Sequence, residues 1–368
     1  MAMPPAWKVK RELRSALDQL KAWGLQLISP VRRIFYNRRE LTEIQVHEGQ
    51  RSLNNKLVIY LVYQPKGLEE SNFIAINHIV SEGHEVLLVS NGSLASNDLN
   101  RLKTVCWRVL ERENLGYDFG GYRCGLHYLK NLNILPDMLS LINDSIWFPI
   151  IEGSDLLAKT ERTVTDFGGA VCFDDSGSRN KGKLVLSYWL TVRGALLRSN
   201  VFWGYWKRYL PSSNKTLAVK LGERGLSRFM SRYDRNIESV FTLENFLFSM
   251  QKASIRQLEL TLKYAAFTDL VFQNECQKIL ESVEESYIWK KNCLEFIEKV
   301  SRRRNFLNSF CYAAIAILRV PFIKKNQLRL QVLMRLQYLR AIDLGDLPAP
   351  NLAILEEIRK NTNIKNLI

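Results

Sequence analysis

Hydrophobic residues in the first half of the chain form short continuous runs, which alternate with segments whose apolar positions recur at helical spacing. A continuous apolar run is typical of a strand buried on both faces of a sheet, and the helical spacing is typical of an amphipathic helix. The runs predict strands over residues 56–63, 85–90, 105–110, 138–142, 167–173 and 184–192. The segments between them predict helices over residues 72–80, 94–102, 120–131 and 155–160. This alternation predicts an α/β fold with a mostly parallel, doubly wound sheet and helices on both faces.

Helical spacing dominates the rest of the chain. It predicts helices over residues 199–210, 223–230, 243–252, 287–300 and 327–342. The first of these is rich in aromatic residues, which favours packing in the core. From residue 255 onward no apolar run indicates a strand, so we expect an all-helical C-terminal region. The predicted organisation is a basic helical region over residues 1–50, an α/β domain over 51–254 and a basic helical region over 255–368.

The positive charge lies on the two flanks of the chain. The net charge is +15, of which residues 1–40 contribute +6 and residues 299–340 contribute +10, while residues 41–298 are neutral. Residues 7–28 have the spacing of a basic amphipathic helix with Trp7 and Trp23. Such flanks favour an anionic membrane surface, although solvated helix faces and a helix docked on the main domain remain alternatives. Because basic and aromatic residues are not interleaved on the neutral body, we expect no nucleic-acid partner.

Cysteine usage and hydropathy indicate the compartment. Six cysteines have no CxxC pair and no zinc-ligand spacing, so they indicate buried reduced thiols. We see no signal peptide, and the longest apolar segment, residues 306–318, is shorter than the roughly 20 residues of a membrane span. These features predict a cytoplasmic protein that is peripheral on the inner face of the cell membrane.

Two polar motifs follow predicted strands. NLGYDFGGY, residues 114–122, follows the strand at 105–110, and NDS, residues 143–145, follows the strand at 138–142. In open α/β sheets ligands bind at the edge where parallel strands end. Asp118 is placed to accept hydrogen bonds from sugar or ribose hydroxyls, and Asp144 is placed to hold Mg²⁺ or Mn²⁺ together with diphosphate oxygens. The alternative is that both carboxylates cap the helices that follow.

Other nucleotide and hydrolase chemistries lack their motifs. The chain has no Walker loop, no GxGxxG order among its clustered glycines and no GxSxG elbow. NAD binding and ATP hydrolysis are therefore disfavoured. The polar loop at residues 174–182 suits either a lid over a substrate or an exposed hairpin.

The two strand-end motifs, with SYWL at residues 187–190 and SNVFW at 199–203, resemble the rhamnan synthesis protein F family, glycosyltransferases of bacterial polysaccharide assembly. The resemblance covers roughly residues 56–250. It implies a Rossmann-like nucleotide-sugar domain of the GT-A type. It also implies that an Asn-x-Gly-x-Asp-x-Gly donor signature falls on Asn114, Gly116, Asp118 and Gly120.

The resemblance further implies where a metal and a base would lie. Asn143, Asp144 and Ser145 fall where GT-A enzymes carry an Asp-x-Asp motif, so Asp144 would be the catalytic carboxylate and metal ligand, beside donor-binding Asn143 and Ser145. Here Asn143 replaces the first carboxylate, and a divalent ion would have one fewer charged ligand. Glu223 resembles a glutamate that the family places before a small-residue helix, and it is a candidate for the base that acts on the acceptor hydroxyl or for a hydrogen-bond partner of that hydroxyl. A solvated helix carboxylate is the alternative.

The resulting hypothesis is a glycosyltransferase of bacterial cell-surface polysaccharide synthesis, such as O-antigen or rhamnan. It would move a sugar, for which rhamnose is one candidate, from a nucleoside diphosphate to a lipid-linked or growing saccharide. The alternative hypothesis is a non-catalytic glycan-binding or scaffold partner in a membrane-associated assembly complex.

Overall fold

A computed structural model describes residues 43–174, 182–233, 235–283 and 286–362 of the chain. The basic helix predicted over residues 7–28 lies outside these ranges. Most of the loop predicted as a lid or hairpin also lies outside them, since residues 175–181 are not described.

Eleven strands are present in the described ranges, and nine of them form one sheet. In chain order they are β1 Gln45–Glu48, β2 Lys56–Val62, β3 Glu85–Ser90, β4 Arg108–Glu111, β5 Met138–Asn143, β6 Ile146–Trp147, β7 Phe167–Asp174, β8 Lys183–Val185, β9 Trp189–Arg193, β10 Ile237–Phe241 and β11 Ile323–Lys324. The order across the sheet is β1-β4-β3-β2-β5-β9-β7-β10, with β8 paired to β7. Strands β6 and β11 form a separate two-stranded sheet.

The sheet is mixed: six of its nine strands run in one direction, in line with the expected mostly parallel sheet, and three run against them. Strands β4, β3, β2 and β5 are parallel neighbours. Strand β9 then runs antiparallel to both β5 and β7, and β1 and β8 are antiparallel additions at the sides. The apolar run at residues 184–192 was expected to be one strand, but a turn at 186–188 divides it between β8 and β9. Both segments pair antiparallel with β7, so this turn interrupts the strand without reversing its direction.

Fifteen α-helices connect and cover these strands in the described part of the chain. They are α1 Glu70–Ser81, α2 Ser96–Val105, α3 Tyr117–Asn131, α4 Leu156–Thr163, α5 Gly194–Leu197, α6 Asn200–Arg208, α7 Lys215–Leu221, α8 Glu223–Arg232, α9 Leu243–Lys252, α10 Ile255–Lys263, α11 Leu270–Glu281, α12 Tyr287–Ser301, α13 Phe306–Ser309, α14 Arg329–Asp343 and α15 Leu352–Asn361. A single π-helical turn spans Ala313–Ile317.

Strand β2 shows how the sheet is buried on both faces. Its side chains alternate, so that Leu57, Ile59 and Leu61 pack in one hydrophobic cluster with α3 and α6, while Val58 and Val62 pack in another with α1 and α4. Each such aliphatic side chain contributes about 1.5–3 kcal/mol of burial. The predicted helices on both faces are thus confirmed, and Phe202 and Trp206 of the aromatic helix are core residues.

Four strands escaped the sequence prediction, and one of them is the two-residue strand β6. Strands β1 and β10 lie at opposite ends of the sheet path, and β10 shows a short alternation with Ile237, Ser239 and Phe241 buried. Strand β11 interrupts the C-terminal region, which is otherwise helical over its described residues. Strand β4 also begins later than expected, because helix α2 continues to Val105. The division at residues 254 and 255 stays a prediction.

The C-terminal helices pack against the α/β part of the molecule. Ala314, Val320 and Phe322 belong to the hydrophobic cluster on the α1 face of the sheet. In addition, the carboxylate of Glu357 on α15 accepts hydrogen bonds from the backbone of Ser71 (2.8 Å) and the indole of Trp147 (2.9 Å). Helix α15 is therefore tied to both α1 and β6.

The structure bears on two expectations from the sequence, which concern the cysteines and the length of the apolar segments. All six cysteines are buried and free, as expected for reduced thiols. Among the described residues, no helix combines the length and hydropathy that crossing a membrane would require.

Candidate functional site

The site lies at the point where the strand order reverses. From β2 the chain proceeds to β3 on one side, and it later returns to place β5 on the other side of β2. The carboxyl ends of β2 and β5 thus lie side by side, and the crevice at such a switch point is where open α/β sheets bind ligands. The backbone N–H of Asp144 donates to the carbonyl of Leu61 (3.0 Å), which fixes the two strand ends together.

A buried arginine organises the loop between β4 and α3. The guanidinium of Arg112 donates to the side-chain oxygen of Asn91, at the end of β3, and to the carbonyl of Leu115 (2.8 Å). Gly116 adopts a φ of +86° immediately before helix α3, and its Cα lies close to Pro211. A Cβ at this position would lie 2.4 Å from the Pro211 Cβ. The positive φ and this close approach together explain the glycine.

Two further glycines allow close packing of α3, Gly120 against the preceding loop and Gly121 against the sheet. A Cβ on Gly120 would meet the carbonyl oxygen of Leu115 at 2.0 Å, and one on Gly121 would meet Leu61 at 2.3 Å. Gly120 therefore has a packing role between the loop and the first turn of α3, whereas Gly121 lets α3 lie close to β2.

Asn143 connects the two predicted strand-end motifs. Its side-chain amide donates to Asp118 Oδ2 (3.0 Å), and its side-chain oxygen accepts from the backbone N–H of Ser145 (3.1 Å) and from the Ser145 hydroxyl. An amide oxygen has two lone pairs, so both acceptor positions of Asn143 are occupied. Ser145 is consequently committed to Asn143.

Asp144 is held on the other side of the same strand end. Its Oδ2 accepts a hydrogen bond from the backbone N–H of Tyr63 (3.1 Å), and the Gln64 side chain also hydrogen-bonds to it. Burial raises the pKa of Asp144, while these hydrogen bonds and the positive charge of Lys325 oppose the rise. Asp144 is half-buried and has one oxygen committed to the backbone.

Asp118 is the carboxylate whose ionisation is most perturbed. Burial, with an added contribution from the charge of Asp144, raises the pKa of Asp118 to about 6. The charges of Lys324 and Lys215 oppose this shift, and that of Glu223 adds to it. Strong perturbation by desolvation and by named charges is typical of functional sites.

Asp118 lines an open cavity that also contains the predicted base. The cavity has a volume of about 240 Å³, and Gly116, Ser187, Lys215 and Glu223 are among its other lining residues. Glu223 is half-buried in the first turn of α8, where its Oε2 accepts a hydrogen bond from the Ser187 hydroxyl (2.8 Å). Both candidate carboxylates therefore face one opening.

Several of the other predicted donor-binding residues do not line this cavity. Asn114 is half-buried in the loop before α3 and is not among the residues that line this cavity. Asn143 and Ser145 do not line it either; they lie beneath it, where Asn143 supports Asp118. The structure brings together Asp118, Asn143, Asp144 and Ser145, while the roles predicted for all eight site residues stay predictions.

Sequence reasoning missed the lysines at this edge. Strand β11 pairs with β6, which places Lys324 opposite Ile146, and the backbone N–H of Lys325 donates to the carbonyl of Ser145 (2.8 Å). The charge pattern alone places these residues in a membrane-facing basic flank. The only local signal was the pair of lysines after an apolar VPFI segment, which does not reveal a strand partner far away in the sequence.

The donor set for a divalent ion is small. In the described ranges, no group of three His, Cys, Asp or Glu side chains comes together as it would around a metal ion. Asn143 has no acceptor position left, and the carboxylates of Asp118 and Asp144 each already accept a hydrogen bond. Divalent ions favour several oxygen ligands, so these residues do not fit a complete protein-built metal centre.

Comparison with known sequences gives one family and two relatives. The family model of rhamnan synthesis protein F matches residues 86–232. The uncharacterized protein y4gN of Sinorhizobium fredii is 30% identical over 257 residues, which cover 70% of this chain and 67% of that protein. Virulence protein VirA of Vibrio anguillarum is 32% identical over 112 residues, which cover 29% of this chain and 36% of that protein.

Two mannosyltransferases are among the solved structures that are similar to this chain. The Pyrobaculum calidifontis mannosyltransferase PcManGT, in complex with GDP-Man and Mn²⁺, has a TM-score of 0.30 and 10% identity, over 94% of this chain and 97% of that one. The mannosyltransferase Ktr4p of S. cerevisiae has a TM-score of 0.26 and 11% identity, over 54% of this chain and 72% of that one. TM-scores this low do not establish a common fold.

Proposed function

The chain belongs to the rhamnan synthesis protein F family, and from this premise we propose that it is a glycosyltransferase that uses a nucleoside diphosphate sugar. The observation that carries the proposal is the bond between Asn143 and Asp118 at the switch point of the sheet, above which Asp118 and Glu223 line one open cavity. A doubly wound half-sheet with a ligand crevice at this position supports a nucleotide-sugar domain of the GT-A type.

In this proposal the strand-end groups bind the donor. Asp118 accepts hydrogen bonds from hydroxyls of the donor's sugar or ribose, and the positive φ of Gly116 keeps the loop backbone close to the ligand. Asn143 and Ser145 hold Asp118 in position through their mutual hydrogen bonds. Asp144 borders the diphosphate end, where the N–H of Tyr63 fixes its orientation.

Glu223 acts on the acceptor. The acceptor hydroxyl oxygen forms a bond to the anomeric carbon of the donor sugar, and the bond from that carbon to the diphosphate oxygen breaks. The hydroxyl proton passes to Glu223, and the nucleoside diphosphate leaves. The Ser187 hydroxyl, which donates to Glu223 Oε2, orients the carboxylate so that its other oxygen is available to the acceptor.

The family and the charge pattern support a proposal for the acceptor, the sugar and the cellular location. We propose a lipid-linked or growing saccharide of bacterial cell-surface polysaccharide as acceptor, with rhamnose as the first sugar to test. The two basic flanks support a cytoplasmic protein held peripherally on the inner face of the membrane, at about 1 kcal/mol per Lys or Arg near anionic lipid.

The decisive experiment measures donor turnover. Purified protein is incubated with dTDP-rhamnose and related donors, and the released nucleoside diphosphate is quantified for the wild type and for Asp118→Asn, Glu223→Gln and Asp137→Asn. The first two substitutions should lower the rate by about 100-fold or more. Asp137, an exposed partner of Arg198, provides the matched control and should leave the rate unchanged. Full activity in a folded Glu223→Gln protein would reject the assigned base.

A non-catalytic glycan-binding partner is the second candidate. The observation that favours it is the saturated Asn143 at the place of a carboxylate, because this position offers no charged ligand. Calorimetry with dTDP-rhamnose, UDP-sugars and GDP-sugars separates the two functions. A scaffold protein would give no binding heat with any donor, in the presence or absence of Mn²⁺, whereas a glycosyltransferase binds at least one.

A further inference from the structure

We propose that Lys324, on strand β11, binds the diphosphate of the donor and supplies the positive charge that a divalent ion supplies in metal-dependent sites. This inference rests on the proposed function and specifies how the leaving group is stabilised. It assigns a binding role to a residue of the C-terminal region, well beyond the segment that matches the family model.

Backbone pairing fixes the position of Lys324. Strand β6 begins one residue after Ser145, and Lys324 is the register partner of Ile146, the first residue of β6. The neighbouring hydrogen bond from the N–H of Lys325 to the carbonyl of Ser145 extends this pairing to the end of the 143–145 motif. Lys324 is therefore held beside the strand end, although it is distant in sequence.

The side chain of Lys324 extends toward the predicted base. Its Nζ lies 4.8 Å from the centre of the Tyr188 ring, and Tyr188 is adjacent in sequence to Ser187, whose hydroxyl binds Glu223. Burial lowers the pKa of Lys324, whereas the charges of Glu223 and Asp118 oppose that change. These two carboxylates face the cavity described above, whereas Lys324 lines a neighbouring cavity together with Tyr188. The charge of Lys324 therefore acts on the two carboxylates from beside their cavity.

Lys324 is available for an anion in a way that Lys325 is not. Lys325 Nζ binds Glu69 Oε2 (2.8 Å) and Ser71 Oγ (3.0 Å) and lies 3.8 Å from Glu357 Oε2. Within the described ranges, Lys324 Nζ has neither a hydrogen-bond acceptor nor an ion-pair partner within 4 Å, and its ring contact with Tyr188 leaves the N–H groups unused. A half-buried ammonium with unused donors is suited to binding phosphate oxygens.

The existing hydrogen bonds of Asn143 and Ser145 also favour Lys324 as the group that binds the diphosphate. The lone pairs of the Asn143 oxygen are filled by Ser145, and its amide is bound to Asp118. When the bond from the sugar to the diphosphate breaks, negative charge grows on the departing oxygen. A fixed ammonium group stabilises that charge in the transition state more than in the ground state, which lowers the barrier.

The test compares binding and turnover with and without metal. Affinities for dTDP and UDP are measured by calorimetry in EDTA and again in Mn²⁺, for wild type, Lys324→Met, Lys324→Arg and Lys278→Met. Lys278 is exposed on α11 and serves as the charge-matched control. Thermal unfolding of each variant checks that it is folded, and Lys324→Arg keeps the charge if Lys324→Met proves unstable.

We expect EDTA to leave wild-type binding and turnover unchanged. Lys324→Met should weaken diphosphate binding and lower kcat by about tenfold or more each, Lys324→Arg should recover part of both, and Lys278→Met should match the wild type. The inference is overturned if the wild type loses nucleotide binding in EDTA. It is also overturned if a folded Lys324→Met protein keeps the wild-type affinity and kcat. In either case, measurable donor turnover still supports a glycosyltransferase. A wild type that binds no nucleotide and consumes no donor overturns both.

Discussion

The side-chain amide of Asn143 donates a 3.0 Å hydrogen bond to the carboxylate of Asp118, and this bond joins the end of β5 to the first turn of α3. At a position where the resemblance leads one to expect a metal-binding carboxylate, the chain has a neutral donor that orients another carboxylate. The geometry of the donor site is therefore set in advance by side chains within the protein. Preorganisation of this kind avoids reorganisation when the ligand binds.

Substitution of Asn143 by aspartate should destabilise the site. Asn143→Asp removes the donor to Asp118 and places two carboxylates in contact, which costs about 1–3 kcal/mol when both are ionised. Urea unfolding should show the loss at pH 8, and a smaller loss at pH 5, where Asp118 is protonated and can donate. Asn200→Asp, exposed in the first turn of α6, is the control and should be neutral or slightly stabilising. Equal losses at both pH values would contradict the direct contact.

Removal of the Asp118 charge should stabilise the protein at high pH. Burial raises the pKa of Asp118 from about 3.9 in the unfolded chain to about 6 in the folded protein. The folded state therefore holds the proton more tightly, and stability falls as pH rises from 4 through 6 and stays reduced above it. Asp118→Asn keeps an acceptor for the Asn143 amide and should gain about 1 kcal/mol over wild type at pH 8, after discounting for partial exposure, and nothing at pH 4. Thermal unfolding across this range is the measurement, and a gain that does not depend on pH would be the opposing result.

Alanine substitutions at three glycines should separate backbone strain from steric contact. Gly92→Ala meets open space at an ordinary φ and should change stability by less than about 0.5 kcal/mol. Gly83→Ala has φ +81° but no neighbour within 4 Å, so it should cost about 1 kcal/mol. Gly116→Ala combines φ +86° with the Pro211 contact and should cost about 2–4 kcal/mol. Denaturant midpoints give the order, and a Gly116→Ala loss no larger than that of Gly83→Ala would show that the loop adjusts to the added Cβ.

Loss of the Glu357 carboxylate should loosen the C-terminal helix from the site. Glu357→Ala leaves the Trp147 indole N–H, the Ser71 N–H and the nearby Lys325 ammonium without this acceptor, at a cost of about 2–4 kcal/mol. Glu356→Ala, exposed on the same helix, should cost less than about 0.5 kcal/mol. Chemical denaturation monitored by tryptophan fluorescence distinguishes them. Indistinguishable midpoints would mean that α15 docks by hydrophobic contacts alone.

Membrane association should depend on the basic flanks. Residues 302–304 are three consecutive arginines, all exposed at the end of α12, and residues 1–40 carry a net +6. Charge reversal at Arg303 and Arg304, or deletion of residues 1–40, should reduce sedimentation with vesicles that contain anionic lipid, and added salt should act likewise. Zwitterionic vesicles are the control. Binding that is insensitive to all three changes would remove the membrane assignment.

The local features of the sequence were sufficient to predict the parallel half of the sheet. Apolar runs located β2, β3 and β5 to within a residue, and the rule that ligands bind at strand ends directed attention to Asp118 and Asp144. The strand predictions succeeded because each depends on residues within one βα unit, whereas the roles of Asp118 and Asp144 stay predictions. The spacing of the motif glycines also matches their packing role, since Gly121 lies against Leu61.

Long-range pairing was beyond the reach of the pattern. The apolar run at residues 184–192 gives no sign of its antiparallel direction, which is evident only from its pairing with β5 and β7. Strand β11 has two residues, too few for any periodicity, and only its partner β6 makes it a strand. Lys324 was therefore assigned to a membrane-facing flank on charge alone.

The pairing of β11 with β6 has a consequence for relatives of this protein. The segment that matches the family model ends at residue 232, yet Lys324 from the C-terminal region borders the motif at residues 143–145. Proteins that share the glycine-rich signature but differ in sequence after that segment would place different charged residues beside the departing nucleoside diphosphate. Within the family, the substrate preference and the metal requirement should therefore correlate with the sequence of the C-terminal region as much as with the shared motif.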